Sequence, residues 1–254
     1  QEADKRLYAD IFRNKLNMCG GFEKYFRLLF SKKIYVSDLN KINWDNIKDN
    51  DIIIYEDYDH PGGGFQMDFS GLENYRTMIS NTIMSSLRKK GENALKFDAK
   101  NAINVHVRLG DFSKSKELLD SGANNVRIDI QWYIATIKKI RAAVGWTVPV
   151  NVFSDGKEEE IRPLLELEKV RRVTFGNSIA DIIALSKADL LIASGSSFSL
   201  WARFLGNCSS ISYPNQIKDY VYNGKSGFEI ELGIEAELDK KYIEKLQRMY
   251  KRIE

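Results

Sequence analysis

The chain has little of what marks several protein classes. It carries only two cysteines, Cys19 and Cys208, far apart along the sequence. That is too few for a disulfide-stapled secreted module, and the spacing fits no zinc motif. Both are read as free thiols in a reducing compartment. Two histidines, His60 and His106, leave no room for a His-rich metal site. No apolar run approaches the ~20 residues needed to span a bilayer. No secretory signal peptide is recognisable. The net charge of +3 is small, and Lys and Glu are interspersed instead of forming a basic block. Nucleic acid is therefore not an expected partner, whereas an anionic ligand or a peripheral association with a membrane surface is compatible with mild positive charge. The chain opens on Gln1 instead of Met, and its start is expected to lie beyond a native N-terminus.

What is present reads as an α/β protein. Apolar residues make up 43% and charged residues 29%, the balance of a globular domain. The length allows one large domain or two modest ones. Residues 4–30 carry helical spacing, with Leu7, Ile11 and Leu16, then Phe22, Phe26, Leu29 and Phe30, broken at Cys19-Gly20-Gly21. Residues 33–37 and 51–55 read as strands. The loop from His60 to Gln66 holds three glycines, Gly62 to Gly64, which form either a flexible turn or a close backbone approach to an anion. A long helix is expected over 72–90, ended at Gly91, with Tyr75, Met78, Ile79, Ile83 and Leu87 as its apolar face. From residue 101 the rhythm is regular. Strands at 102–107, 148–153, 170–175, 189–193 and 209–213 alternate with helices at 129–141, 157–167, 178–187 and 197–205. That alternation specifies βαβ units and a parallel sheet. A charged helix over 234–254 turns Ile243, Leu246 and Tyr250 inward. Trp132, Trp146 and Trp201 are read as packing residues first.

Four constellations carry chemistry. His106, Arg108 and Asp111 follow the strand at 102–107. An open α/β sheet binds ligands at this edge of its strands. Arg108 either holds a phosphate with two parallel hydrogen bonds or pairs with Asp111 to pin the loop. Asp155, at the end of the next strand, either meets a sugar hydroxyl or base amide or caps the helix that follows. Asp181, in the first turn of its helix, either complements the helix dipole or contacts ligand. Ser194 to Ser199 places hydroxyls and backbone amides at a helix start, which makes an anion cradle or an ordinary N-cap.

Taken together, Val105-His-Val-Arg108-Leu-Gly-Asp111, Phe153-Ser-Asp155, Ser178-Ile-Ala-Asp181 and Ser196-Ser-Phe-Ser199-Leu-Trp201 resemble the α-1,2-fucosyltransferase family. Its wider superfamily includes α-1,6- and protein O-fucosyltransferases. The motifs occupy about residues 101–206. Two departures stand beside the match. The glycine-rich stretch usual at the family's first strand has only a loose echo at 62–66, and Ser199-Leu-Trp201-Ala-Arg203 follows the serine run.

The resemblance implies a GT-B-like fold of two Rossmann-type domains. A smaller N-terminal acceptor-side domain, either truncated or atypical, would occupy residues 1–98, a nucleotide-sugar domain 99–233, and a C-terminal helix 234–254. It implies an inverting, metal-independent transfer of fucose from GDP-fucose to a glycan hydroxyl. No cofactor is expected beyond that donor. Arg108 would hold the departing diphosphate and His106 would contact pyrophosphate or sugar. Asp111 is the nearest candidate base. Asp155 would bind substrate, Asp181 would contact guanine, and Ser196, Ser197 and Phe198 the phosphates and nucleoside. A transferase using another nucleotide sugar, or a binding module without turnover, is the rival expectation. Such a chain is expected in the cytoplasm or at the inner face of its membrane.

Overall fold

The computed structural model describes residues 11–12, 21–36, 42–55, 69 and 71–251. The chain divides into two compact units, residues 14–66 and residues 1–13 with 67–254. In the smaller unit, helix α1 (Gly21–Phe30) precedes two short strands, β1 (Lys33–Val36) and β2 (Ile52–Tyr55), which pair in parallel with Lys33 opposite Ile52. Their Ile and Val content suits them to a pleated surface. The expected glycine loop at 60–66, and Cys19 with the helix break beside it, lie outside the described residues.

The larger unit is a six-stranded parallel sheet with helices on both faces. In chain order it runs α2 (Arg76–Ser85), α3 (Lys89–Leu95), β3 (Ile103–Val107), α4 (Lys116–Asp120), α5 (Ile130–Val144), β4 (Val150–Ser154), α6 (Glu158–Leu165) and β5 (Val170–Arg172). Then follow α7 (Ser178–Leu185), β6 (Leu190–Ala193), α8 (Ser197–Gly206), β7 (Ser209–Ser212), β8 (Glu229–Glu231) and α9 (Lys240–Met249). The strand order is β5-β4-β3-β6-β7-β8, parallel throughout. The chain winds outward from β3 in one direction, then restarts at β6 and winds the other way. The crevice between the carboxyl ends of β3 and β6 is the topological switch point, where sheets of this kind take their ligands.

The central strands β3, β4, β6 and β7 are buried on both faces, with buried polar residues such as Asn104, His106 and Asn151 among the apolar ones. Ile103, Val105 and Val107 join Val150, Val152, Leu190 and Ile192 under α5, α6 and α9. Leu191 and Ala193, facing the other way, pack with α7, α8 and α3. Side chains alternate along a strand, so His106 leaves β3 on the α7–α8 side.

The division at 66/67 differs from the expected boundary at 98/99, and the reason is packing. Helix α2 lies on α8 and α3 on α7. Arg76 of α2 is buried and donates to Asn207 Oδ1 (2.5 Å), Asn223 Oδ1 (3.0 Å) and the Val221 carbonyl. The C-terminal helix likewise packs on α5, with Leu246 and Tyr250 buried and the Trp146 indole donating to the Tyr250 carbonyl (3.1 Å).

Other expectations need correction. The helix over 72–90 is two helices, broken at Ser86–Arg88. There Leu87 turns inward and forms a bridge with Phe12, and the Arg88 amide donates to the Ile11 carbonyl (2.6 Å). Phe12, expected in a helix, is therefore extended. Gly91 lies inside α3 and does not end a helix. The expected apolar face holds only in part. Leu87 is buried and Ile79 packs on the core, but Tyr75 and Met78 are exposed while Arg76 is buried, with its two terminal nitrogens hydrogen-bonded to compensate for the burial.

Candidate functional site

Strand β3 delivers His106 to the switch point. Its ring is buried and stacks on Phe198 of α8, with centroids 4.3 Å apart and planes 15° from parallel. His106 Nδ1 lies 2.7 Å from Ser199 Oγ and 2.9 Å from Ser194 Oγ. Ser194 Oγ is 3.1 Å from the hydroxyls of both Ser196 and Ser199. Two hydroxyls thus meet at one imidazole nitrogen and at each other, and a third, that of Ser196, joins them through Ser194. Burial, helped by the neighbouring Arg108 charge, pushes the His106 pKa down to about 3. The ring is neutral at physiological pH and acts there as a hydrogen-bonding group, not as a cation.

Helix α8 begins at this hydroxyl cluster. Ser196 is its N-cap and accepts from the Ser199 amide (3.4 Å), as the capping reading expected. The amides of Ser197 and Phe198 have no acceptor among the described residues. Ser197 is exposed and Phe198 half-buried, so the helix opens towards solvent with donors unused. The anion-cradle and N-cap readings are therefore both realised, by different atoms of the same turn.

Arg108 stands two residues beyond His106. Its Nη1 pairs with Asp155 Oδ2, and its Nη2 donates to Asp111 Oδ1 (2.6 Å). The guanidinium carbon also lies 5.0 Å from the centre of the Phe112 ring. Arg108 is 30% exposed, Asp155 24% and Asp111 80%. The loop-pinning role is thus present, and it involves a second carboxylate that the sequence did not connect to Arg108. Asp155 does not cap the next helix, whose N-cap is Lys157. Its Oδ1 accepts from the Leu109 amide instead (2.8 Å). The turns after β3 and β4 interlock at two glycines. A Cβ on Gly110 would overlap Asp155 Oδ2, and one on Gly156 would crowd Leu109 Cδ1 at 2.5 Å.

Asp181 lies apart from this centre. It accepts from the Phe175 amide (2.6 Å) and from Thr174 Oγ1 (3.4 Å), and so holds the turn between β5 and α7. Asn177, not Ser178, caps that helix. The structure therefore joins His106, Ser196 and Phe198 through contacts, and Arg108, Asp111 and Asp155 through charge. Ser194 and Ser199 were read only as members of the serine run, not as partners of His106. The parity of His106 and the third position of Ser199 in its helix were the available signals. Among the described residues no cluster of His, Cys, Asp or Glu could hold a metal ion, and no helix is long and apolar enough to cross a membrane. Cys208 is a buried free thiol whose pKa burial raises to about 12.

The family model for glycosyl transferase family 11 matches residues 33–226, which spans the site and most of the chain. The chain belongs to that family. No curated relative matches it. Among solved structures it is similar to the NodZ α-1,6-fucosyltransferase co-crystallised with GDP, at 20% identity over 53% of this chain and 48% of that one, with a TM-score of 0.35. It is similar to POFUT1 in complex with GDP at 19% identity over 52% and 49%, with a TM-score of 0.33. The fucosyltransferase NodZ from Bradyrhizobium matches at 19% identity over 49% and 45%, with a TM-score of 0.32. The chain spans about half the length of these proteins.

Proposed function

We propose that the chain carries the donor site of an inverting fucosyltransferase. It takes GDP-fucose and passes the sugar to a glycan hydroxyl, within a GT-B arrangement whose acceptor side involves the smaller unit, residues 14–66. The observation that carries this reading is the pairing, at one switch point, of a fixed guanidinium with the unused amides of a helix N-terminus. Both stabilise negative charge where a diphosphate leaves. Two of the similar structures hold GDP.

In this reading the acceptor oxygen attacks C1 of fucose as the bond from C1 to the diphosphate breaks. Arg108 exchanges part of its carboxylate pairing for the β-phosphate, and Asp155 keeps the guanidinium in place. Ser197 and Phe198 donate amides to the phosphates, with Ser196 beside them. Neutral His106 packs under the sugar–diphosphate. Asp181 steadies the turn that meets the guanine. Asp111 takes the acceptor proton, because it is the exposed carboxylate nearest the guanidinium. An ion pair lowers a carboxylate's basicity, so its role depends on Arg108 turning to the diphosphate. No metal is needed for this charge bookkeeping. The enzyme works in the cytoplasm or on its membrane face.

Calorimetry with GDP and UDP, followed by turnover of GDP-fucose, tests the reading. GDP should bind more tightly than UDP, and preference for UDP would remove the fucosyl assignment. Asp111→Asn should lower transfer ~10²-fold or more if Asp111 is the base, with GDP affinity kept. A second reading, a nucleotide-binding module without turnover, is favoured by the two carboxylates already on Arg108. Tight GDP binding with no transfer or hydrolysis would establish it.

A further inference from the structure

Arg108 is aimed by the carboxylates that hold it, and each of these sits on a short turn. Two other arginines grip those turns. Arg127 donates from Nη2 to the Gly110 carbonyl (2.8 Å) and from Nε to the Phe112 carbonyl (3.0 Å). Those are the carbonyls on either side of Asp111. Arg172 donates from Nη2 to the carbonyls of Ser154 (3.1 Å) and Gly156 (2.9 Å). Those are the carbonyls on either side of Asp155. The two staples have the same logic and come from different parts of the chain. Arg127 lies in the loop before α5, and Arg172 ends the edge strand β5.

The Arg127 staple is itself anchored. Its Nη1 donates to Glu160 Oε1 (2.9 Å), and the other oxygen of Glu160 accepts from the Lys157 amide (2.9 Å) at the start of α6. The strap that carries Arg127 is held by its backbone, since the Arg127 amide donates to the Ser113 carbonyl (2.7 Å).

We propose that Arg127 and Arg172 are positioning residues for Arg108. Each fixes the backbone that presents one of the two carboxylates, and together they set where the guanidinium points. The functional consequence rests on the reading that Arg108 receives the leaving diphosphate. Arg127 spans its two carbonyls from two nitrogens, Nε and Nη2, whereas Arg172 reaches both of its carbonyls from Nη2 alone. A lysine carries its donors on one nitrogen and reaches less far, so it cannot occupy both donor positions of Arg127 and falls short of the Nη2 position of Arg172. Misplacement by about 1 Å at a reacting centre can cost ~10²-fold in rate, so a loosened turn acts on kcat before it acts on the fold.

Arg127→Lys and Arg172→Lys test this in two arms. The first needs no ligand. In amide hydrogen exchange on the free protein, Arg127→Lys should speed exchange at Phe112, and Arg172→Lys at Gly156, each by ~10-fold or more as local opening becomes easier. Each variant should leave the other turn and strand β3 unchanged. Unchanged exchange, or equal acceleration everywhere, overturns the positioning role. The second arm reads kcat and KM for GDP-fucose beside GDP affinity. A fall in kcat of ~10-fold with GDP affinity nearly kept is expected. Wild-type kcat in both variants overturns the link to Arg108. If the wild-type chain neither binds GDP nor turns over GDP-fucose, the functional reading fails, and the exchange arm still decides the positioning role.

Discussion

The two sides of the switch point are built from different materials. On the β3 side, charges face each other half in water, with Arg108 between Asp111 and Asp155. On the β6 side, a buried neutral imidazole and three serine hydroxyls lead into free helix amides. The difference follows from dielectric. Charges are cheap to hold where solvent still reaches them, and the Arg108 pairs are 24–80% exposed. Under Phe198 a charge would have to shed its hydration, so that side uses neutral groups that satisfy one another. The charged side can exchange partners when an anion arrives. The neutral side is a fixed floor.

The largest effect that would break this contrast is on transfer. Arg108→Ala should lower the rate by ~10²–10³-fold, the usual loss of one donor to developing charge. Its melting temperature should move little, because exposed ion pairs contribute only ~0–1 kcal/mol. Steady-state kinetics beside a thermal melt checks both. Unfolding of the variant, or wild-type transfer, would make Arg108 a structural pin like the carboxylates around it.

The neutral side should show itself in acid. The His106 pKa is depressed in the folded chain from 6.5 to about 3. Between these values the unfolded state binds more protons, so this group's contribution to stability is complete above about pH 6.5 and declines as pH falls towards 3. Denaturant midpoints measured from pH 7 to pH 4 should drop for the wild type. A His106→Phe variant keeps the stack on Phe198 and should lose part of that slope. An identical slope in the variant would place the acid sensitivity elsewhere.

How much of this was legible depended on whether the signal was local. The strands β3, β4, β6 and β7 and the helices α5 to α8 fell where apolar runs and caps placed them. Asp129 caps α5 and Asn177 caps α7 as their residue types require. Strand β8 was not among the expected strands. It pairs with β7, and Glu229 meets Arg203 of α8 at 2.6 Å inside the protein, contacts that no local pattern announces. The expected strand over 170–175 stops at Arg172; the Val173 amide makes the last bond to β4, at the Val152 carbonyl (2.8 Å), and the chain then enters a turn held by Asp181. The site was half legible for the same reason. His106, Arg108 and the serine run stand out as motifs. The second carboxylate on Arg108 comes from the turn after β4, and its arginine staples come from a loop and an edge strand. Only the folded sheet brings these together.

A smaller effect separates the hydroxyl cluster from simple capping. Ser194→Ala with Ser199→Ala removes both hydroxyls from His106 Nδ1. Leaving a buried ring nitrogen unpaired should cost ~1–3 kcal/mol, read from urea unfolding. Ser199→Ala alone should cost less, because Ser194 Oγ remains 2.9 Å from the ring. If the double variant loses no more than Arg108→Ala, then the fixed floor is no firmer than the exchangeable side.

The smallest effect is expected on the most visible carboxylate. Asp111 is 80% exposed and reaches only one arm of Arg108. Asp111→Asn keeps an oxygen that can still accept from Nη2 and should change stability by about 0–1 kcal/mol, with less difference from wild type at high salt. A larger loss would mean that Asp111, like Asp155, carries structure. The exposed pair would then be no more free to exchange than the buried ring, and Arg108 could not release it to meet a diphosphate. A loss within that range keeps Asp155, half-buried and tied to the Leu109 amide, as the partner that stays, and Asp111 as the one that lets go.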